Sequence, residues 1–405
     1  MAEIVYKERN PFTPDEPVSK ENFVGREKEI EMILRSAHQV SMGVRQSFFI
    51  VGDYGIGKSS LASYIKYAVH TQFNLAAYHI YLSDINSLED MSFNIVTGLI
   101  KQSKELNVID KVKKFLGEYI KEIHLFNVDI NTEALKRDAF NLSSSFASML
   151  QDTYAYLQDD FKGIALILDD LNGISDNPRF APLIKSTVDS IATSSRPLPL
   201  LLIFCGVEKR RLDMISHHPS IARIFSVIDV KPLSDNETAK FFRDSFDKIG
   251  FKIEKEALDT IVYYSSGLPR LMHEIGNSVF WVTEKKYIDS ITAMRGIRGA
   301  VDEIGRKYFG PLQKILTSKD YRSILRSLLT LMGKKSKENL VFDKKEIIEK
   351  LSDAEAKKFN NFLQRMKNIN AIHPGDIRGE WFFSDYLTFW YFYFETEKLL
   401  KINKS

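Results

Sequence analysis

The chain has 405 residues, enough for two or three domains, and its 44% hydrophobic and 27% charged residues are typical of a soluble globular protein. A formal net charge of +3 is too small to indicate nucleic-acid binding by itself, although a local basic patch is compatible with it. The single cysteine excludes an intramolecular disulfide, and no apolar run is long enough to cross a membrane. Because the first residues also lack a signal-peptide pattern, we expect a cytoplasmic protein without a membrane partner.

The first 22 residues predict an extended arm, since Pro11, Pro14 and Pro17 interrupt any regular element. A short motif then precedes the first predicted helix, whose apolar positions Ile33, Leu34 and Ala37 follow helical spacing. The motif consists of Phe23, Val24, Gly25, Arg26 and Glu27. Helical periodicity does not account for it.

The next stretch predicts a phosphate-binding loop between a strand and a helix. An apolar run ends at Val51, a glycine-rich turn follows, and Lys58 and Ser59 open a helical pattern. Glycines let the backbone wrap its N–H groups around phosphates, and the helix N-terminus adds a positive dipole end. Lys58 would contact the β- and γ-phosphates of a nucleotide, and the Ser59 hydroxyl would ligate Mg²⁺. The predicted loop is Gly52, Asp53, Tyr54, Gly55, Ile56, Gly57, Lys58, Ser59 and Ser60. The alternative is a loop retained only for structure.

A second carboxylate-bearing motif follows a predicted strand at residues 76–82 and a long, charged helical insertion at about 105–160. The run from Gly163 to Leu168 is apolar throughout, which is typical of a central parallel strand, and it ends in Asp169 and Asp170. Ligands of such sheets bind at the carboxyl ends of the strands. The alternative interpretation is an ordinary turn with two solvated acids.

Together these motifs resemble those of AAA+ ATPases of the origin-recognition type and of the related STAND and archaeal ATPases. The resemblance implies that Val24 and Arg26 line the pocket for the adenine base, and that Asp169 holds Mg²⁺ through water. Asp170 stands where many AAA+ enzymes have a glutamate that orients the attacking water. Its shorter side chain departs from that pattern and resembles STAND switches, which implies ATP binding with slow turnover.

Two arginines acquire candidate roles from the same resemblance. Arg223 precedes a predicted strand, where related ATPases can supply an arginine finger to a neighbouring subunit. Pro269 and Arg270 lie in a segment similar to the sensor-2 region of AAA+ proteins, so that Arg270 would reach the γ-phosphate from a helical lid. The alternatives are a surface or structural role for Arg223 and a packing role for Arg270.

The last 90 residues predict three helices at 320–332, 344–351 and 353–368, followed by two short strands, which is the order of a winged helix. In such a fold the third helix can enter the DNA major groove while the hairpin touches the backbone. The candidate contacts with double-stranded DNA are Lys357, Lys358, Arg365, Lys367 and Arg378. A solvated face or a protein-docking face is the alternative.

The predicted fold is therefore an α/β P-loop NTPase with a parallel sheet flanked by helices. Its expected parts are an arm at 1–22, a core at 23–233, a helical lid at 234–316 and a winged-helix domain at 317–405. The expected function is Mg²⁺-ATP binding and slow hydrolysis that control a DNA-associated activity. The alternative is a STAND-type switch in signalling or antiviral defence that acts on a protein partner or through homo-oligomers.

Overall fold

A computed structural model describes residues 9–14, 23–112, 146–171, 173–308, 318–332, 340–369, 371–375, 377, 379–384 and 386–402. These residues form two compact units. The core unit spans Pro17–Lys231, and the second, which we call the C-terminal unit, combines Pro232–Ser405 with the first residues, Met1–Glu16. Each unit is described below by itself.

The core unit alternates strands and helices, as a parallel sheet with crossover helices requires. Its elements are α1 (Glu27–Ser41), β1 (Gln46–Val51), α2 (Lys58–Phe73), β2 (Leu75–Tyr81), α3 (Leu88–Glu105), α4 (Phe146–Leu157), β3 (Gly163–Asp169), α5 (Phe180–Thr193), β4 (Leu200–Gly206), α6 (Glu208–His217), α7 (Ile221–Ile224) and β5 (Ser226–Asp229). All strand pairs are parallel, in the order β2-β3-β4-β1-β5. The prediction of a parallel sheet flanked by helices is confirmed.

The register of the sheet brings the candidate site together. Strands β3 and β4 are buried along their whole length, which explains their continuous apolar sequences. Tyr81 at the end of β2 pairs with Asp169 at the end of β3, and Ile50 of β1 pairs with Cys205 of β4. The carboxyl ends of four strands therefore meet at one edge of the sheet.

Most of the predicted helical insertion at about 105–160 falls on residues 113–145, which lie outside the described residues. On its two sides, α3 ends at Glu105 and α4 begins at Phe146. Phe146, Met149 and Leu150 of α4 belong to the same hydrophobic core as strands β2 and β3. The described part of this region is thus built into the core.

The C-terminal unit contains mostly helices. Its elements are α8 (Asp235–Asp247), β6 (Lys252–Ile253), α9 (Lys255–Ser265), α10 (Pro269–Val282), β7 (Tyr287–Ile288), α11 (Ser290–Tyr308), α12 (Lys319–Met332), β8 (Val341–Asp343), α13 (Lys344–Ile348), α14 (Asp353–Asn368), β9 (Ile372–Pro374), β10 (Glu380–Phe383) and α15 (Tyr386–Ile402). Strands β8, β10 and β9 form a small antiparallel sheet. Strand β8 was not expected from the sequence. The winged-helix assignment and the domain limits stay predictions.

Residues 9–14 of the expected arm pack onto the helices of the C-terminal unit. The ring of Phe12 is 3% exposed and lies 5.0 Å from the ring of Phe246, measured between centroids. It fits over Gly276 of α10, where an added Cβ would come within 2.3 Å of the ring. The backbone N–H of Thr13 donates to Nδ1 of His273, 3.0 Å away. Proline spacing indicated the irregular backbone of this segment but carried no sign that it docks.

The aromatic helix α15 packs on two sets of neighbours in the same unit. Its Trp390 donates from Nε1 to the Ser266 hydroxyl at 2.7 Å, and the ring of Phe389 meets that of Phe383 at 5.4 Å. A Cβ at Gly305 of α11 would lie 2.5 Å from the Tyr391 ring. Among the residues described here, no helix is both long and apolar enough to cross a membrane.

Candidate functional site

The predicted phosphate loop connects β1 to α2, as its sequence requires. Gly55 and Gly57 have φ angles of 77° and 95°, a left-handed conformation that side chains with a Cβ rarely adopt. At Gly52 an added Cβ would come within 2.8 Å of the Val230 carbonyl oxygen. The glycines are therefore required by backbone conformation at two positions and by a close approach at the third.

The ammonium group of Lys58 lies across this loop. Its Nζ donates to the carbonyl oxygens of Gly52 and Asp53, both at 2.9 Å. Burial lowers the pKa of Lys58, and the negative charge of Asp169 opposes this shift most strongly. Lys58 therefore lies close to the acidic end of β3.

The motif before α1 contacts the phosphate loop. The Arg26 guanidinium is buried and donates to the Ile56 carbonyl oxygen at 3.1 Å. The Arg26 backbone is left-handed with a φ of 69°, and the preceding Gly25 also has a positive φ of 77°. This tight turn aims the Arg26 side chain at the loop. Val24 is half-buried beside it.

The two acids at the end of β3 have different surroundings. Asp169 is 1% exposed, and its Oδ1 accepts the backbone N–H of Asp170 at 2.9 Å. Asp170 is half-buried, with a left-handed φ of 60°. Its Oδ2 accepts the Ser83 hydroxyl, 2.7 Å away. This local geometry separates one buried carboxylate from one that a hydroxyl holds near the surface.

Sequence reasoning missed two polar residues that contact these acids. His79 on β2 places Nε2 3.0 Å from Oδ2 of Asp169, and both side chains are buried. Ser83 follows the same strand and contacts Asp170. A lone histidine within the otherwise apolar strand at 75–80 was the available signal, because a buried imidazole needs a polar partner.

Cys205 at the end of β4 completes this edge of the sheet. Its thiol is fully buried, and burial raises its pKa well above the ordinary value, with a further contribution from Asp169.

The residues at this edge fit a magnesium–nucleotide complex. Loop N–H groups and an ammonium suit phosphate oxygens, and a hydroxyl with a carboxylate suits Mg²⁺, which prefers oxygen ligands. Lys58, Ser59 and Asp169 belong to the core unit and could fill these roles, and the loop leaves no room for an added Cβ at Gly52.

The other predicted site residues lie elsewhere. Arg223 is exposed on the short helix α7 of the core unit. Pro269 and Arg270 form the first turn of α10 and belong to the C-terminal unit. Four of the five DNA candidates are exposed on α14, namely Lys357, Lys358, Arg365 and Lys367. Arg378 lies outside the described residues.

A comparison with protein families identifies the core. The model of a family described as an ATPase domain predominantly from Archaea matches residues 23–275, which include the loop and both acids. The chain belongs to this family. The resemblance to archaeal ATPases and the prediction of an ATPase that binds nucleotide are thereby confirmed. No curated protein sequence matches this ATPase significantly.

Solved structures with the same fold cover almost the whole ATPase. The Walker-type ATPase paby2304 of Pyrococcus abyssi has a TM-score of 0.55 at 14% identity, over 92% of this chain and 97% of its own. The ORC2 protein of Aeropyrum pernix, in ADPNP–ADP complexes, has a TM-score of 0.55 at 11% identity, over 95% and 97%. At these identities the likeness concerns the fold alone.

Proposed function

We propose that this ATPase binds Mg²⁺-ATP at the phosphate loop and hydrolyses it slowly. Lys58 contacts the β- and γ-phosphates, while Ser59 and Asp169 hold Mg²⁺. The loop N–H groups surround the phosphates, and the residues assigned to this cradle are Gly52, Asp53, Tyr54, Gly55, Ile56, Gly57, Lys58, Ser59 and Ser60. Val24 lines the base side, and Arg26 fixes the loop through the Ile56 carbonyl.

The observation that carries this proposal is the position of the Lys58 ammonium. It is bound by two loop carbonyls at 2.9 Å, and Asp169 is near enough to oppose the lowering of its pKa. Neutral carbonyls compensate a buried ammonium only in part, because charge pairs with anions are stronger. Phosphate oxygens supply that anion.

Slow hydrolysis follows from the surroundings of Asp170. Its side chain is one methylene shorter than the glutamate expected in many AAA+ enzymes, and Ser83 holds one of its oxygens by a 2.7 Å hydrogen bond. A residue that orients the attacking water must reach that water in the transition state. Ser83 fixes the direction of this shorter side chain, so that Asp170 reaches the water less readily than a glutamate would, and turnover is slow.

Calorimetry and turnover measurements test these roles. The wild type should bind ATP more tightly with Mg²⁺ than with EDTA, and Asp169→Asn should lose most of that difference. Asp170→Asn should keep ATP binding within about threefold and reduce turnover by about a hundredfold, the usual size of a lost acid–base contribution. Parent-rate hydrolysis by Asp170→Asn would show that Asp170 does not orient the water.

We infer that Arg223 or Arg270 reports which nucleotide is bound. An arginine that meets the γ-phosphate stabilises the ATP state over the ADP state, and only such a difference can shift a conformational equilibrium. Light scattering and small-angle X-ray scattering should therefore distinguish the protein with an ATP analogue from the protein with ADP. Identical particles in both states would argue against a switch.

As the output of the nucleotide-dependent change, we first propose a DNA-associated activity of residues 317–405, which we take to form a winged helix. The exposed cations of α14 support it, since Lys358 and Arg365 are seven residues apart and lie on one helical face. Binding would be of modest affinity and mostly insensitive to DNA sequence, because phosphate contacts carry no base information.

A nucleotide-controlled switch that acts on a protein partner is the second candidate. It is favoured by the intramolecular contacts of the same cations. Lys358 Nζ lies 2.5 Å from the Asp320 carboxylate, and the Arg365 guanidinium lies over the Tyr321 ring at 5.2 Å. Fluorescence anisotropy with a labelled duplex at low salt separates the two candidates. Binding that strengthens with an ATP analogue supports DNA, whereas absence of binding with either nucleotide supports the protein partner.

A further inference from the structure

His79 and Asp169 form a buried polar pair across neighbouring strands. The imidazole is on β2 and the carboxylate on β3, with Nε2 and Oδ2 3.0 Å apart and side-chain exposures of 5% and 2%. A pair of apolar side chains would pack here without any cost of removing polar groups from water. The sheet alone therefore does not require this histidine.

The pair leaves the Asp169 carboxylate with both oxygens engaged. Oδ1 accepts the Asp170 backbone N–H at 2.9 Å, and Oδ2 faces His79 Nε2. A carboxylate oxygen accepts hydrogen bonds, so His79 can orient it only with Nε2 as the donor. Two donors from different parts of the chain thus fix the plane of the carboxylate, and each oxygen keeps a further lone pair for a metal-bound water.

His79 is itself held from two sides. Its ring lies 4.5 Å from the Tyr81 ring, measured between centroids. Strand β2 is at the edge of the sheet, and Gln102 of α3 binds the outward backbone groups of His79. The His79 N–H donates to Gln102 Oε1 at 3.0 Å, and Gln102 Nε2 donates to the His79 carbonyl at 2.6 Å. Among the described strands β2 has a neighbour on one side only, and the Gln102 amide pairs with its other side, which fixes the backbone that carries the imidazole.

We propose that His79 is a positioning residue for Asp169, which it orients toward the Mg²⁺ of the bound nucleotide. The proposal rests on the proposed function, since it requires Asp169 to hold the metal. Histidine and carboxylate groups that orient a metal ligand typically change metal affinity ten- to a hundredfold when they are lost. His79 is thus expected to act on Mg²⁺ and not on the phosphate loop.

Two variants separate this role from packing. His79→Phe keeps a ring beside Tyr81 but removes the donor, while His79→Gln keeps an N–H donor near the position of Nε2. Mg²⁺ is titrated into each protein with a fluorescent ATP analogue, and thermal melting is recorded in parallel. We expect His79→Phe to need at least about tenfold more Mg²⁺ for half-maximal signal, and His79→Gln to stay within about threefold of wild type. Binding of the analogue in EDTA should be equal in all three.

Nitrogen-15 NMR of labelled histidines adds a test on the wild type, with the His79 signal identified by its loss in His79→Gln. The proposal requires Nε2 to carry the proton and its signal to shift when Mg²⁺ is added to the ATP-bound protein. An unprotonated Nε2 would overturn it, whether or not His79→Phe folds. Equal Mg²⁺ dependence of wild type and His79→Phe, or equal impairment of both variants, would overturn it as well. If the wild type itself shows no Mg²⁺-dependent binding, the proposed function fails, and this inference fails with it.

Discussion

The phosphate loop and the docked segment at residues 9–14 are both fixed by hydrogen bonds and by close approach to glycines, but their partners lie at very different distances along the chain. Lys58 binds carbonyls five and six residues away, whereas Thr13 donates to a histidine 260 residues away. The loop can therefore be recognised from a short stretch of sequence. The segment at residues 9–14 takes its position only because the C-terminal unit packs around Phe12.

Substitution of Lys58 should have the largest effect of the predicted changes. It tests the phosphate loop, whose contacts are local in sequence. Lys58→Ala should weaken ATP binding by at least about thirtyfold, because truncating one partner of a buried charge pair costs about 2 to 5 kcal/mol. Folding should be little affected, since the lost ammonium is partly desolvated without nucleotide. Calorimetry with ATP and Mg²⁺ measures the affinity.

Lys66→Ala is the matched control, since Lys66 lies on the same helix and pairs with Glu105 at 3.0 Å. Its affinity for ATP should equal that of the wild type. Unchanged affinity in Lys58→Ala would instead contradict the assignment of the phosphate loop.

Acid should loosen the non-local contact through His273. Burial lowers its pKa to about 4, from an unfolded value of 6.5, so the unfolded chain binds more protons between these values. The free energy of unfolding should therefore decrease as the pH falls from 6.5 to about 4, by about 3 kcal/mol, and level off below. Protonation of Nδ1 would also remove the acceptor for the Thr13 N–H.

Denaturant melts at several pH values, in wild type and His273→Gln, measure this contribution as a difference between the two proteins. The difference should depend on pH between 6.5 and about 4, and not above 7. His38→Gln is the control, because His38 is exposed in the core unit. If wild type and His273→Gln lose stability in parallel, His273 is not the titrating group.

Removal of the Phe12 ring should have a somewhat smaller effect. Phe12→Ala exposes the surface over Gly276 and should cost about 1.5 to 3 kcal/mol of stability, the usual contribution of a buried aromatic side chain. Hydrogen exchange should become faster in α10, which carries His273 and Gly276. Tyr287→Ala removes a half-exposed aromatic ring from the same unit and should leave exchange in α10 unchanged. Equal exchange in α10 of Phe12→Ala and wild type would mean that the segment does not support this helix.

Substitution of the basic residues of α14 should have the smallest effect of the predicted changes. Their spacing is a local pattern, whereas their partners, such as Asp320, lie on another helix. Replacing Lys358 and Arg365 together with Ala should weaken duplex binding several-fold and flatten the dependence of log affinity on log salt by up to about 2, if both contact phosphate. Exposed ion pairs such as Lys358 with Asp320 contribute about 0 to 1 kcal/mol to stability. Lys358 can therefore exchange the Asp320 carboxylate for a DNA phosphate at little cost in free energy.

A control with Lys240→Ala and Arg306→Ala removes two other exposed, carboxylate-paired cations of the same unit. In anisotropy titrations at several salt concentrations, this control should show the same dependence of log affinity on log salt as the wild type. Equal weakening in both double variants would mean that the positive charge acts without a defined site on α14.

The sequence by itself determined the parallel sheet, the phosphate loop and the acidic end of β3. The loop and the acidic strand each depend on a short stretch of chain, through backbone conformation at Gly55 and Gly57 or through complete burial of an apolar strand, and the alternation of such strands with helices predicts the parallel sheet. The same locality explains why the family assignment agrees with the prediction over residues 23–275.

Only the tertiary structure decided which side chains meet these local elements. His79 reaches Asp169 because β2 and β3 are neighbours in the sheet, although 90 residues separate them in the chain. Phe12, Trp390 and Lys358 likewise find their partners through folding of the C-terminal unit. Such contacts depend on which surfaces fold together, and no periodicity or motif within one element records that choice.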